Sequence, residues 1–224
     1  MPSYEHLISG YRVFKATTYK EKKELIVKRM EAGFAPTTLV ITSSGMKMGP
    51  EFLFASSPGD LYVVRNFGGW VPANSGIAAN GTMSIIEYAI SVMKVNNVVV
   101  LGHSGCDAVK ELMSNKYDDL LNTNDKDLKK ILEKKDIGPL ATWMLVGKEV
   151  KQAVLKHLSD KTFEEQCAAC EQEVILVSIK NLLGYKFVQE RVQQGMDIYG
   201  LLWNINEDNL LHFNPNTKHF EAVD

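Results

Sequence analysis

The chain has 224 residues, 45% of them hydrophobic, 23% charged and 9% aromatic, the balance of an ordinary globular protein. Lys and Arg total 25 against 27 Asp and Glu, a formal charge of -2 that offers no broad basic surface to nucleic acid, and no apolar run is long enough to cross a bilayer. Met1 to Arg29 has no apolar signal core, so a cytoplasmic location is the expectation, and Cys106, Cys167 and Cys170 make no even disulfide framework and are expected as reduced thiols.

A single domain over residues 1–224 is expected, with 1–36 a helical arm and 37–224 the core. Leu25, Ile26 and Met30 among charges predict an arm helix over Lys20 to Glu31, ending near Gly33 and Pro36. The β-branched run Thr37 to Thr42 predicts a strand, and Ser43 to Pro50 has the Gly and Pro punctuation of a loop. Leu61 to Arg65 reads as a second strand running into the glycine-rich Asn66 to Trp70. Ser84 to Met93 is apolar on more than one side, as in a buried helix, and Asn97 to Leu101 is a third strand ending in Gly102-His-Ser-Gly-Cys106. Strand, loop, strand, helix, strand implies a parallel sheet with crossover helices, an α/β fold whose strand-end loops converge at one edge. Lys110 to Ser159 is mostly helical in pattern, with Asn124 to Asp136 a solvated helix or loop. Phe163 to Val192 is helical with a break near Gly184, Met196 to Asn204 suits a late strand, and Leu210 to Phe213 its hairpin partner.

His103 and Cys106 put an imidazole and a thiol three positions apart on a sharp turn, which suits two ligands of a zinc site. A buried Cys beside a hydrogen-bonded His is the equally simple reading. Cys167-Ala-Ala-Cys170 has the gap of a zinc knuckle or redox pair, but one such pair in a helical stretch is expected to be packing. His157, His212 and His219 have no ligand spacing. Arg65 at a strand end is expected to anchor a loop or an interface.

The segments Pro58 to Asn66, Ser84 to Ala89 and Val99 to Cys106 resemble the β-class carbonic anhydrases in order and spacing. So do Cys170 to Val174, Asn181 to Val188 and Gly195 to Asn204, which resemble the plant-type branch, over about Thr37 to Phe213. The resemblance implies that family's fold, a mainly parallel sheet flanked by helices with an N-terminal arm helix. It implies a homodimer or dimer-based oligomer with N-terminal helices packed across a partner, and zinc held by Cys, His and Cys for carbon dioxide hydration. In that family the first Cys lies in a Cys-Ser-Asp-Ser-Arg loop whose Asp and Arg form a dyad. The matching loop here is Ser43-Ser-Gly-Met-Lys47, which puts Ser43 at the Cys, Gly45 at the Asp and Lys47 at the Arg.

A serine hydroxyl is far harder to deprotonate than a thiol, Gly45 has no side chain to act on a bound water, and Lys47 lacks the two-pronged guanidinium. The expectation is a family member with little or no hydration activity, no zinc at full occupancy, and a binding, regulatory or partner role. A small anion such as bicarbonate, phosphate or sulfate is the expected ligand if Lys47 faces the amides of Gly102, Ser104 and Gly105. Two enzyme readings compete. In one, His103, Cys106 and a non-standard third ligand still hold zinc. In the other, Ser43 or Ser44 acts as a metal-free nucleophile, with Ser44 and Lys47 forming a Ser-x-x-Lys pattern that has no companion motif.

Overall fold

The structure, a computed structural model, describes residues 3–33, 35–74, 81–133 and 137–223. It opens with two helices, α1 (Tyr4–Ala16) and α2 (Thr18–Glu31), where the sequence pattern gave only the second. Ser3 caps α1 by accepting the His6 N–H. Its Tyr4, Leu7, Tyr11 and Phe14 form one stripe at helical spacing, and all four are exposed. Neither helix has a buried residue. The Arg29 guanidinium ties α2 to the core by donating to the Asp60 carboxylate at 2.7 Å and the Pro58 carbonyl at 2.8 Å.

The core runs β1 (Thr38–Ser43), α3 (Pro50–Leu53), β2 (Leu61–Asn66), α4 (Gly81–Glu87) with a π-helical turn at Tyr88–Val92, and β3 (Asn97–His103). Next among the described residues are the α-helices α5 (Asp107–Met113), α6 (Asp118–Leu121), α7 (Asp125–Glu133), α8 (Pro139–Met144) and α9 (Lys148–Leu158). Then come α10 (Phe163–Leu183), α11 (Lys186–Gln193), β4 (Asp197–Asn204), β5 (Asn209–Asn214) and β6 (His219–Ala222). The solvated segment expected over Asn124 to Asp136 is largely α7, and residues 134–136 lie outside the described residues. The helical break expected near Gly184 separates α10 from α11.

The sheet order is β2-β1-β3-β4-β5-β6, parallel from β2 to β4 and antiparallel beyond. Both faces of β1 and β3 are buried, as their unbroken β-branched runs require. Leu39, Ile41, Val98 and Val100 pack on one face with Ile86, Ile90 and Ile175, while Val40, Val99 and Leu101 pack on the other with Met46 and Trp203. The long helix α10 lies close on β3 and β4 because glycine stands beneath it. A Cβ at Gly102 would come within 2.8 Å of the Ile175 side chain, and one at Gly200 would do the same. The expectation of a helix buried on more than one side at Ser84 to Met93 needs correction. Met83, Ile86, Ala89 and Ile90 are buried, but Ile85, Tyr88 and Val92 form an exposed stripe on the other side. Among the described residues no helix is long and apolar enough to cross a membrane.

Candidate functional site

The chain leaves β1 for β2 on one side of the sheet and later enters β3 on the other, so the strand order reverses between β1 and β3. That switch point opens a crevice at the carboxyl ends of the strands, where open α/β sheets bind ligands. Ser43 ends β1 and His103 ends the neighbouring β3, with Thr42 paired to Leu101. The turn after His103 brings Cys106 back as the N-cap residue of α5. Three residues singled out in the sequence, Ser43, His103 and Cys106, are thus all buried at this edge of the sheet, at 2%, 4% and 4% exposure.

The Cys106 thiol lies 3.9 Å from Ser43 Oγ, which also accepts the Gly45 N–H at 3.1 Å. His103 Nδ1 sits 3.0 Å from the Ser104 carbonyl, an acceptor, so Nδ1 carries the proton. Nε2 is buried and has no hydrogen-bond partner. Burial pushes the Cys106 thiol above its usual range, partly offset by the amides of Val109 and Ala108. Among the described residues, no group of three His, Cys, Asp or Glu side chains is placed to hold a metal ion.

The loop from Ser43 to Met46 is held by Arg65, whose guanidinium donates to the carbonyls of Ser43 at 3.2 Å, Ser44 at 3.4 Å and Met46 at 2.6 Å. This is the anchoring geometry expected for a strand-end Arg. From the other side Gly69 presses on the same strand end. Its φ is +72° and a Cβ there would meet the Ser43 nitrogen and the Thr42 carbonyl carbon at 2.9 Å, so only glycine fits.

The residues of the expected anion-binding group lie at two strand ends, Lys47 after β1 and Gly102, Ser104 and Gly105 at the end of β3. Lys47 is exposed. The Ser104 amide donates to the Trp203 carbonyl. The Cys106 amide donates to Glu171 at 2.9 Å, and the Gly105 amide also faces that carboxylate. Glu171, a buried residue of α10, thus engages the turn from within the chain. Burial raises its pKa, opposed by the Cys106 amide, His103 and the Gly105 amide. The sequence reading assigned Glu171 no role, although a carboxylate inside the apolar stretch of α10 marks a residue that needs a partner.

Cys167 and Cys170 are free thiols inside the apolar cluster that also holds Cys106, Trp70 and Met144. Burial pushes Cys167 up to about 11 and Cys170 higher still. Both side chains are therefore protonated packing groups at neutral pH.

The fold is that of the β-class carbonic anhydrases. The β-carbonic anhydrase CcaA superimposes with a TM-score of 0.83 at 26% identity, covering 98% of this chain and 92% of that one. Tetrameric β-carbonic anhydrase from the ascomycete Sordaria macrospora superimposes with a TM-score of 0.76 at 21% identity, covering 99% and 98%. The family model described as carbonic anhydrase matches residues 38–210, and the chain belongs to the β-class carbonic anhydrase family. Beta carbonic anhydrase 3 of Arabidopsis thaliana is 29% identical over 192 residues, 86% of this chain and 69% of the relative. A carbonic anhydrase of Synechococcus elongatus is 28% identical over 219 residues, 97% and 74%.

Proposed function

We propose that this chain is a β-class carbonic anhydrase homologue that does not hydrate carbon dioxide by zinc chemistry and works as a self-associating binding or partner protein. The observation that carries the reading is the donor set: a neutral serine hydroxyl 3.9 Å from the Cys106 thiol, with the buried His103 at the end of the adjoining strand. The resemblance implies two thiolates and an imidazole for zinc, and this set does not fit that ion. A complete structural zinc site is worth ~10–16 kcal/mol, so an even share for one of four ligands is about 3 kcal/mol, roughly two decades of affinity. Releasing the proton of the buried Cys106 thiol adds to that cost. Because Glu171 engages the turn and Lys47 faces solvent, the geometry favours a partner role over capture of a small external anion at the turn.

The experiment is a carbon dioxide hydration assay on the wild type and on Ser43→Cys/Gly45→Asp/Lys47→Arg. A Cβ added at Gly45 would meet Ser43 Oγ at an ordinary 3.5 Å. The wild type is expected at the buffer rate, and the triple variant is expected to take up zinc and hydrate. Chelator-sensitive hydration by the wild type would overturn the proposal.

Self-association rests on two exposed apolar stripes, Tyr4-Leu7-Tyr11-Phe14 on α1 and Ile85-Tyr88-Val92 on the α4 turn. The Sordaria structures, described as tetrameric, add support by family. Light scattering after size exclusion is expected to give a dimer or a dimer-based oligomer, and Leu7→Ser/Tyr11→Ser is expected to shift it toward monomer. A monomeric wild type at tens of micromolar would contradict this part.

A further inference from the structure

Strand β6 ends the sheet, and among the described residues it pairs only with β5. It lies beyond residues 38–210, the part of the chain that the carbonic anhydrase model matches. The Val223 N–H donates to the Leu210 carbonyl, and backbone direction alternates along a strand, so His219, Glu221 and Val223 aim their backbone groups at β5. Phe220 and Ala222 therefore turn their N–H and C=O groups to the open edge. Shortness and the charge of Glu221 guard that edge, with no lysine, proline or bulge in the strand. The charge also decides which strand can pair there. For a second β6 running antiparallel to the first, a twofold axis can fall on any of the four residues of the strand. At His219 or Glu221 it sets like side chains opposite each other, and two carboxylates repel. At Ala222 it sets Glu221 against Val223. At Phe220 it sets His219 of each copy opposite Glu221 of the other, with Cα atoms ~4.5 Å apart, the closest approach in an antiparallel sheet. The Glu221 carboxylate is already oriented, accepting from Asn214 Nδ2 at 2.9 Å and Thr217 Oγ1 at 2.6 Å, and these bonds hold its carboxyl below the usual range. Phe220 projects from the other face with its ring 5.5 Å from Phe213, and an axis at Phe220 sets two such ring pairs side by side.

We propose that β6 recognises a second copy of itself. The two strands pair antiparallel about a twofold axis at Phe220, joined by the Phe220 backbone groups, two His219–Glu221 contacts and a row of four phenylalanine rings. The proposal deepens the self-association reading and rests on it for the dimer that carries two such edges. It uses the terminal hairpin and not the α1 and α4 stripes, so the β6 edges join dimers into a larger assembly.

The test is sedimentation velocity of the full chain from low to hundreds of micromolar. A species larger than the dimer is expected at the upper end. Ala222→Pro removes an outward N–H and no bond to β5, and is expected to stop at the dimer. Glu221→Lys is expected to stop there too, and the exchange His219→Glu/Glu221→Lys to restore the larger species. The register is read by disulfide trapping with diamide, to which the buried native thiols are poorly accessible. Phe220→Cys, whose Cα stands ~5.5 Å from that of its own copy, is expected to give a covalent dimer, and Glu221→Cys is not. A wild type that stops at the dimer, a larger species that the single variants leave unchanged, an exchange that restores nothing, or trapping at Glu221→Cys instead of Phe220→Cys would each overturn the edge pairing and leave the self-association reading standing. A wild type that is monomeric throughout would overturn both.

Discussion

Replacing Glu171 by Ala tests how the turn that carries His103 and Cys106 is held. The carboxylate takes the Cys106 N–H at 2.9 Å, and Glu171 is 7% exposed. A hydrogen bond to a charged group is worth ~1.5–3 kcal/mol, which is what deleting the carboxylate removes. Part of that is returned because the carboxylate is no longer held out of water, the effect that raises its pKa. A net loss of about 1–2 kcal/mol is expected, a fall of roughly 2–8 °C in Tm for a chain of this size. Glu171→Gln keeps an acceptor oxygen and is expected to lose about half as much. Acetate or formate added to Glu171→Ala should enter beside the freed amides and raise Tm saturably, while doing little to the wild type. Urea denaturation gives the free energies and a thermal scan against acetate gives the rescue. A Glu171→Ala variant within about 0.5 kcal/mol of wild type, the range of an ordinary surface substitution, would refute the reasoning. A rescue equal in both proteins would refute it too.

Three further outcomes follow from named contacts. Arg65→Ala removes the donor to three loop carbonyls and should cost about 2–4 kcal/mol in urea denaturation while making the Ser43 to Gly49 loop a preferred site of limited proteolysis, and Arg65→Lys should recover only part, since an ammonium lacks the planar fork. Gly102→Ala drives a methyl to within 2.8 Å of Ile175, and overpacking at that place is expected to cost about 1–3 kcal/mol, relieved in Gly102→Ala/Ile175→Val. Cys167 is raised from 9.0 to about 11 on folding, so the native state holds its proton longer than the unfolded chain does. Its contribution is complete below pH 9 and is lost as pH climbs toward 11, and Cys167→Ala should flatten the stability profile across that window.

The parallel half of the fold was legible because β1 and β3 are buried on both faces and therefore read as continuous β-branched runs. Ser43 and His103 could be placed from the sequence because each closes a strand that runs into a turn containing glycine, with Cys106 following at the start of the next helix. What escaped was set by partners distant in sequence. Helix α1 buries nothing, so its apolar stripe alone did not mark it as a helix of the fold. Strand β6 is a four-residue edge, too short to show alternation, and is held by pairing with β5. The exposed side of α4 read as core because periodicity reports apolar faces and not what covers them. Glu171 acquires its role only when α10 is laid beneath the turn sixty-five positions earlier.

The most direct test of the account is the zinc content of the protein, measured by plasma mass spectrometry after purification with neither chelator nor added metal. The account predicts a trace no greater than that of a Cys106→Ala control. A full equivalent of zinc per chain, retained through gel filtration and lost in that control, would contradict it.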